Sequence, residues 1–187
     1  IGVIIETPYG NVIYPGDFRF ELDENSNPVN IEHYEKLGKE NNLVLFLEST
    51  NAETPGFSIP EKVVYQNLEK IVTEAKNRII IGMFSSHIER VIEIVKVAEK
   101  HDKKVAIDGY SLKASFEIVK ALGYFHPKKD VLIPVEKIDS YLPSKVIAIC
   151  TGSQGEENAS LMRIANKRHK HIRITKDDTV ILSSSVI

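Results

Sequence analysis

The sequence predicts an α/β protein built around a parallel β-sheet with helices on both faces. From Ser58 onward, apolar runs of strand length alternate with longer segments whose apolar residues recur at helical spacing. Short polar loops follow the apolar runs. This rhythm is typical of parallel sheets joined by right-handed crossovers, in which ligands bind beyond the carboxyl ends of the strands.

The first 57 residues predict a different local arrangement. The strand-like segments Gly2–Thr7 and Asn11–Pro15 flank the turn residues Pro8–Gly10, which is the pattern of a β-hairpin. Ile31–Glu40 has room for a short helix. Leu43–Leu47 is a continuous apolar run, which predicts a strand buried on both faces of its sheet.

The remaining residues supply the sheet and its helices in turn. Pro60 suits a first helical position, so a helix is expected from there to about Asn77. Gly123 suits the end of a later helix, because glycine readily adopts the left-handed conformation found there. The predicted extended segments are Arg78–Phe84, Lys104–Ile107, Val131–Pro134, Val146–Cys150 and Thr179–Ser183. The helices expected between them contain Ile88–Ala98, Leu112–Leu122 and a segment that opens at Glu156.

Small and polar residues follow several of these strands. The loop Thr151–Gly155 lies between an apolar run and Glu156, an acidic residue that suits the positive end of a helix dipole. Glycines in such a loop let backbone N–H groups approach a ligand, and an ordinary turn of a parallel sheet is the alternative. The loop has neither the GxGxxG spacing nor a Walker lysine. The candidate ligand-binding residues at this edge are Ser85, Ser86, His87, Gly109, Ser111, Gly152, Ser153 and Gln154.

Two carboxylates in the first part of the chain also follow predicted strands. Asp17 stands behind Gly16, where it either projects into a cleft or serves as a turn residue. Glu48 follows Leu43–Leu47 directly. A carboxylate at the end of a buried strand is costly unless it is paired or faces a cleft, and a solvated strand end is the alternative.

The composition limits the class of protein. With 42% hydrophobic and 27% charged residues among 187, the chain has the balance of a globular domain. Its formal net charge of −2 provides no global basic field for nucleic acid. Cys150, the only cysteine, lies in an apolar run, so we expect a buried, inert thiol in a reducing cytoplasm. No apolar run approaches the ~20 residues of a membrane span. Both chain ends lie in strand-like or apolar sequence, which predicts a segment of a longer protein.

Five segments carry a family resemblance, in the order Pro15–Phe20, Leu47–Glu53, Phe84–Ile88, Cys150–Glu156 and Asp178–Ile181. Together they resemble ribonuclease J, of the β-CASP branch of the metallo-β-lactamase fold, and the likeness covers the whole chain. The resemblance implies that residues 1–57 are the C-terminal part of a metallo-β-lactamase core. Residues 58–176 would form a Rossmann-like β-CASP domain, and residues 177–187 would return to the lactamase core as a strand.

The resemblance also implies roles for individual residues. Asp17 corresponds to a metal ligand of a site that holds two zinc ions, and Glu48 corresponds to the motif A acid that supports a metal-binding histidine. The loop Ser85–His87 resembles the one that helps to hold the terminal phosphate of RNA, although its serines also suit helix N-caps. Gly109–Ser111 stands in the place of a Gly-Arg-Ser motif, with tyrosine instead of arginine. The other expected RNA- or phosphate-binding residues are Ser111, Gly152, Ser153 and Gln154.

On this resemblance the whole protein is a zinc-dependent ribonuclease with 5′→3′ exonuclease and endonuclease action on single-stranded RNA. A metal-bound hydroxide would attack phosphorus while a second metal stabilises the developing charge. The His-x-His-x-Asp-His motif and the later histidine motifs of the family do not occur in this sequence, so the chain alone is expected to be inactive. A cytoplasmic homo- or hetero-oligomer without membrane association is expected.

Two other functions remain open on the sequence alone. One is a catalytically poor paralogue that mainly binds RNA or a partner subunit. The other is a free-standing Rossmann-like nucleotide-binding module with Gly152–Gly155 as its phosphate loop. His169 and His171 alternate, which predicts a solvated or RNA-facing basic edge in place of a metal site. The neighbouring cations of that edge are Lys167, Arg168, Lys170 and Arg173.

Overall fold

The computed structural model describes residues 2–18, 20, 22–23, 27–29, 31–50, 52–56 and 59–184. The chain divides into two compact units, Ile1–Val64 and Tyr65–Ile187. The strands are β1 Val3–Thr7, β2 Gly10–Tyr14, β3 Asn42–Leu45, β4 Ile79–Met83, β5 Lys104–Asp108, β6 Val146–Cys150 and β7 Thr179–Ser183. The α-helices are α1 Glu32–Gly38, α2 Glu61–Glu74, α3 Ile88–Lys100, α4 Tyr110–Ala121 and α5 Ser160–Ala165, and 3₁₀ turns occupy Val135–Ser140 and Pro143–Lys145.

The first unit contains a three-stranded sheet in the order β1-β2-β3. The predicted hairpin is confirmed, since β1 and β2 pair antiparallel from Val3 opposite Tyr14 to Thr7 opposite Gly10. Gly10 has φ +136°, and a Cβ there would lie 2.9 Å from the carbonyl oxygen of Asn41. Only glycine fits this turn without strain. β3 then pairs parallel with β2.

The prediction that Leu43–Leu47 is buried on both faces is wrong for this structure. The side chains of this run are between 38% and 57% exposed. Burial requires a layer packed on the sheet, and α1, the helix that lies wholly among the described residues of this unit, has no buried residue. The run of apolar residues therefore predicted the strand correctly, but it did not show whether another layer of structure covers that strand.

The second unit contains a four-stranded sheet in the order β5-β6-β4-β7, and every pair in it is parallel. The predicted α/β class with a parallel sheet is confirmed. All residues of β4 and β6 are buried, which explains why both strands read as unbroken apolar runs. The segment before the 3₁₀ turn extends the β5 edge through a parallel bridge between Leu132 and Val105. One face of the sheet carries a core cluster of Ile80, Ala106, Ile133, Val135, Ile138, Val146, Ala148, Cys150, Ile164 and Ile172.

The last strand joins the parallel sheet, as the alternation of strands and helices predicted, whereas the family resemblance implied a return to the lactamase core. β7 pairs with β4 from Thr179 opposite Ile79 to Ser183 opposite Met83, and so belongs to the parallel sheet. An apolar run of five residues predicts a strand but does not say which sheet it joins. The domain boundaries 1–57, 58–176 and 177–187 stay predictions, and residues 185–187 lie outside the described part of the chain.

Two helix ends test the local sequence rules. Gly123, with φ +77°, ends α4 as predicted, and the N–H groups of Gly123 and Tyr124 donate to the carbonyls of Lys120 and Val119. The helix expected to open at Glu156 begins four residues later, at Ser160. The Glu156 carboxylate instead accepts a hydrogen bond from the backbone N–H of Gln154, so it closes a turn. None of the helices among the described residues has the length and apolar composition of a membrane-spanning segment.

Candidate functional site

The order of the parallel strands places a topological switch point between β4 and β6, which is where a binding crevice is expected in an open α/β sheet. The chain leaves β4 through α3 toward β5, and it leaves β6 through α5 toward β7, in opposite directions along the sheet. Right-handed crossovers that run in opposite directions lie on opposite faces of the sheet, so the loops after these two strands diverge. Ligands of open α/β sheets bind in such a crevice. Its two borders are the predicted loops Ser85–His87 and Thr151–Gly155.

The loop after β4 turns tightly into α3. The backbone N–H of His87 donates to the carbonyl of Phe84, and that of Ile88 donates to the carbonyl of Ser86. The N-cap residue is His87, and it makes no side-chain capping bond. This differs from the alternative in which Ser85 or Ser86 is an N-cap. Ser86 is exposed, and the His87 ring packs edge-on against Phe84 with 5.3 Å between centroids.

The loop after β6 is shaped by a glycine that no other residue can replace without strain. Gly152 is buried with φ +106°, and a Cβ there would lie 2.5 Å from the Cβ of Ala159. The Ser153 hydroxyl oxygen is buried and finds no hydrogen-bond partner among the described residues. A buried hydroxyl without a partner is costly, so beside a crevice it marks a candidate contact for a polar ligand. Gln154, the next residue, is exposed.

The loop after β5 packs against the loop after β6. Gly109 has φ +116°, and a Cβ there would lie 2.7 Å from both Oγ1 and Cγ2 of Thr151. Ser111 is exposed in the first turn of α4. The three loops predicted from the sequence therefore meet at one edge of the sheet, while the ligand-binding role of their residues stays a prediction.

A buried polar cluster at this edge was missed in the sequence analysis. Asp108, the last residue of β5, is 7% exposed, and its Oδ2 accepts hydrogen bonds from Ser160 Oγ at 2.5 Å and His169 Nε2 at 3.0 Å. Lys113 and Arg163 each place a nitrogen 3.4 Å from the same carboxylate. Burial raises the pKa of Asp108, but the bonds from Ser160 and His169 outweigh it and hold the pKa below its usual value.

His169 was predicted on an exposed edge, and the structure contradicts this. Its residue is 5% exposed and its segment forms no strand. Nδ1 accepts hydrogen bonds from the backbone N–H groups of His171 and Ile172, at 3.2 and 2.9 Å. Because Nδ1 accepts, the ring proton sits on Nε2 and is donated to Asp108. Their alternating positions predicted that His169 and His171 share one face of a strand. The backbone turns here instead, so His169 is buried and His171 is half-buried.

Cys150 is fully buried at the end of β6, as predicted. Burial, together with the nearby charge of Asp108, raises the pKa of its thiol to about 12. The thiolate, which is the reactive form, is therefore scarce at neutral pH. This agrees with the expectation of an unreactive thiol at the sheet edge.

The two predicted carboxylates of the first unit follow neighbouring parallel strands. Asp17 comes three residues after β2 and is exposed, while Glu48 comes three residues after β3. Glu48 accepts a hydrogen bond at 2.7 Å from the backbone N–H of Thr50, and this bond with that of the Thr50 side chain lowers the pKa of Glu48. Asn51, which belongs to the resembling segment Leu47–Glu53, lies outside the described residues.

These carboxylates do not amount to a zinc site by themselves. A catalytic zinc ion takes three protein ligands and keeps one open position. Within the part of the chain that the structure describes, no group of three His, Cys, Asp or Glu side chains is arranged to hold a metal ion. The roles predicted for Asp17 and Glu48 therefore stay predictions.

Comparison with known proteins now identifies the family. A protein-family model described as "Ribonuclease J, beta-CASP domain" matches residues 76–187, which include the whole parallel sheet. The chain belongs to the ribonuclease J family. The matched region contains the loops after β4 and β6 and the Asp108 cluster.

Curated relatives agree with this assignment over the full chain. "Ribonuclease J" of Mycoplasma genitalium and of Mycoplasma pneumoniae are each 36% identical over 186 residues, which cover 100% of this chain and 33% of each relative. "Ribonuclease J 2" of Staphylococcus aureus is 35% identical over 184 residues, which cover 98% of this chain and 33% of that protein. The chain therefore spans about a third of the length of the relatives that it matches.

The signal that could have revealed the missed cluster was present in the sequence. Asp108 directly follows the apolar run before Gly109, which is the same pattern that singled out Glu48. A carboxylate at a buried strand end demands partners. Its partners Ser160 and His169 lie 52 and 61 residues further along the chain, so no local pattern connects them to it.

Proposed function

We propose that this chain is the RNA-binding part of a ribonuclease J-type hydrolase that cleaves single-stranded RNA in 5′→3′ exonuclease and endonuclease modes. The crevice between the carboxyl ends of β4 and β6 carries the proposal, because its borders offer hydroxyls, a histidine and glycine backbone at a topological switch point. The family relationship supports a nuclease parent. A cytoplasmic, oligomeric parent that carries two zinc ions completes the proposal. The zinc ligands other than Asp17 would come from elsewhere in the protein.

In this proposal a terminal phosphate of RNA occupies the crevice. The hydroxyls of Ser86 and Ser153 donate to phosphate oxygens, and the His87 ring adds a further donor. The amino end of α3, a helix of 13 residues, adds positive potential. The Asp108 cluster keeps the neighbouring loops in place. These residues bind and orient the RNA, and no chemical step is assigned to them.

The proposal is tested on the full-length protein with Ser86→Ala and His87→Ala. Loss of one hydrogen bond to a charged phosphate costs about 1.5–3 kcal/mol, so discrimination for 5′-monophosphorylated over 5′-hydroxyl RNA should fall by about tenfold or more. The melting temperature should barely change for Ser86→Ala, since this exposed side chain does not cap α3, and His87→Ala should lower it only by the loss of the ring contact with Phe84. Ser140→Ala, an exposed serine of the Val135–Ser140 turn, is the matched control.

Two outcomes would contradict the proposal. If the variants lose thermal stability yet keep full preference for the 5′-monophosphate, the loop is structural. If the full-length wild-type protein cleaves no RNA with Zn²⁺ or Mn²⁺ but still binds it, the parent is the catalytically poor paralogue. The chain alone should show only background cleavage, and metal-dependent turnover by these 187 residues would contradict that expectation.

A further inference from the structure

The connection from α5 to β7 displays a cluster of cations near the Asp108 cluster. Residues 167–173 contain four Lys or Arg side chains, and all four are exposed. None of the four forms an ion pair within 4.0 Å with a residue that the structure describes. Like charges gathered without partners repel one another, and a polyanion relieves that repulsion. The four residues are Lys167, Arg168, Lys170 and Arg173.

The backbone that carries these cations is held firmly, although it is not helical or extended. The carbonyl of Arg163 accepts hydrogen bonds from the N–H groups of Arg168, at 2.7 Å, and His169, at 3.0 Å. The His169 side chain is fixed on Asp108, and Ile172 is fully buried. His169 and Ile172 therefore anchor the segment while the four cations are exposed to solvent. Such preorganisation lowers the entropic cost of binding a ligand.

The two ends of the segment differ in their surroundings. Lys170 and Arg173 line a pocket of about 530 Å³ near the starts of β4 and β7, together with the acidic residues Glu136 and Asp139. Those carboxylates oppose an approaching polyanion. Lys167 and Arg168 are not among the residues that line this pocket. Arg168 directly precedes the buried His169, which lies at the carboxyl edge of the sheet. The pair Lys167 and Arg168 is thus the part of the segment best suited to bind phosphate.

We propose that Lys167 and Arg168 bind the phosphate backbone of a single-stranded RNA whose terminal phosphate occupies the crevice between β4 and β6. This inference rests on the proposed function, because it concerns the same RNA at a second contact. The contact is ionic and independent of base sequence. It adds affinity for RNA that reaches beyond the crevice, and it makes no contribution to a substrate too short to reach it.

The test compares the full-length protein with its Lys167→Gln/Arg168→Gln variant on a long single-stranded RNA and on a dinucleotide with the same 5′-monophosphate. Each lost phosphate contact lowers the slope of log K against log salt by about 0.7, so the double variant should lose about 1.4. KM for the long RNA should rise about tenfold near physiological salt with kcat unchanged, and the dinucleotide should be unaffected. Arg168→Gln alone should lose about 0.7 of slope.

The control is Lys128→Gln/Lys129→Gln, which removes the same charge from an exposed stretch at the opposite end of β5. It should leave the slope and KM near their wild-type values. Equal slopes in the two double variants would overturn this inference alone, provided that Ser86→Ala still weakens 5′-monophosphate discrimination. A wild-type protein without salt-dependent RNA binding would overturn the proposed function and this inference together.

Discussion

The two edges of the parallel sheet each bury an aspartate, and the two are satisfied in different ways. Asp108 ends β5 at the carboxyl edge, where its carboxylate receives the Ser160 hydroxyl and the His169 ring, with Arg163 close by. These donors come from α5 and from the connection that follows it. One carboxylate thus ties together three parts of the chain beside the candidate site.

Asp178 precedes β7 at the amino edge, and its side chain is 1% exposed. Its Oδ2 accepts hydrogen bonds from Arg78 Nη2 at 2.7 Å and from the backbone N–H of Thr175 at 2.8 Å. Its Oδ1 and the Nε of Arg78 have no partner among the described residues. This pair fastens the start of β7 beside the start of β4.

The two ends of the sheet thus use their buried polar groups for different purposes. At the amino edge one ion pair fixes the entry of a strand, and Asp178 Oδ1 and Arg78 Nε have no partner among the described residues. At the carboxyl edge the Asp108 network, with several donors, fixes the neighbouring loops, and the buried hydroxyl without a partner there is that of Ser153, in a loop proposed to bind phosphate. Buried networks that are well satisfied hold a single arrangement. The carboxyl edge is therefore built for precise placement of its loops, which is what a binding site requires.

Asp108→Ala should have the largest effect. It leaves the Ser160 hydroxyl and the His169 N–H buried without their acceptor, and removing one partner of a buried network costs about 4 kcal/mol. Urea denaturation followed by circular dichroism measures the free energy of unfolding. Asp139→Ala, at an exposed aspartate, should change it by less than about 0.5 kcal/mol. A cost for Asp108→Ala as small as that of the control would contradict the structural role of the cluster.

Asp178→Ala should cost somewhat less, about 3 kcal/mol. Arg78 loses its carboxylate partner but keeps a hydrogen bond of 2.6 Å from Nη2 to the carbonyl of Arg173. The two edges should differ more clearly in their effect on RNA binding than in their effect on stability. In the full-length protein at a temperature where both variants are folded, Asp178→Ala should keep discrimination for 5′-monophosphorylated RNA, whereas Asp108→Ala should weaken it. Equal losses in both would remove the distinction between the edges.

The sequence predicted the parallel sheet well because each of its strands can be recognised from its own consecutive residues. β6 has the predicted bounds Val146–Cys150, and β4 lies within the predicted Arg78–Phe84. The meeting of Ser85–His87 with Thr151–Gly155 at one edge follows from the parallel arrangement alone. A strand that is buried on both faces must be apolar throughout, so its pattern survives without any knowledge of its neighbours.

The features that the sequence missed depend on contacts between distant residues. The pairing of β7 with β4, the burial of His169 and the exposure of Leu43–Leu47 are all set by which layer or strand lies alongside. The Asp108 partners are more than fifty residues away. Tertiary contacts of this kind leave no periodic signal. The late start of α5 is the exception, because it follows from a local bond between Gln154 and Glu156.

Gly152→Ala and Gly155→Ala test how tightly the loop after β6 is packed at two of its positions. Both glycines have positive φ, +106° and +83°, but a Cβ at Gly155 would meet nothing within 4 Å. Gly155→Ala should therefore cost about 1 kcal/mol from backbone strain alone. Gly152→Ala also drives a methyl group into Ala159 and should cost about 2 kcal/mol. Equal unfolding free energies for the two variants would show that the β6 loop is looser than its geometry indicates.

The smallest expected effect is a change in acid sensitivity. The folded-state pKa of Asp108 lies below the value of about 3.9 of an unfolded aspartate. Its contribution to stability is thus complete above the unfolded pKa, and it is lost as the pH falls through the folded pKa. Asp108→Asn keeps the size of the side chain and removes this titration. The free energy of unfolding of the wild-type chain, measured between pH 6 and pH 3, should therefore fall more steeply than that of Asp108→Asn. Parallel curves would mean that the carboxylate is no better stabilised in the folded chain than in water, and the Ser160 and His169 bonds would then lack the strength that their geometry implies.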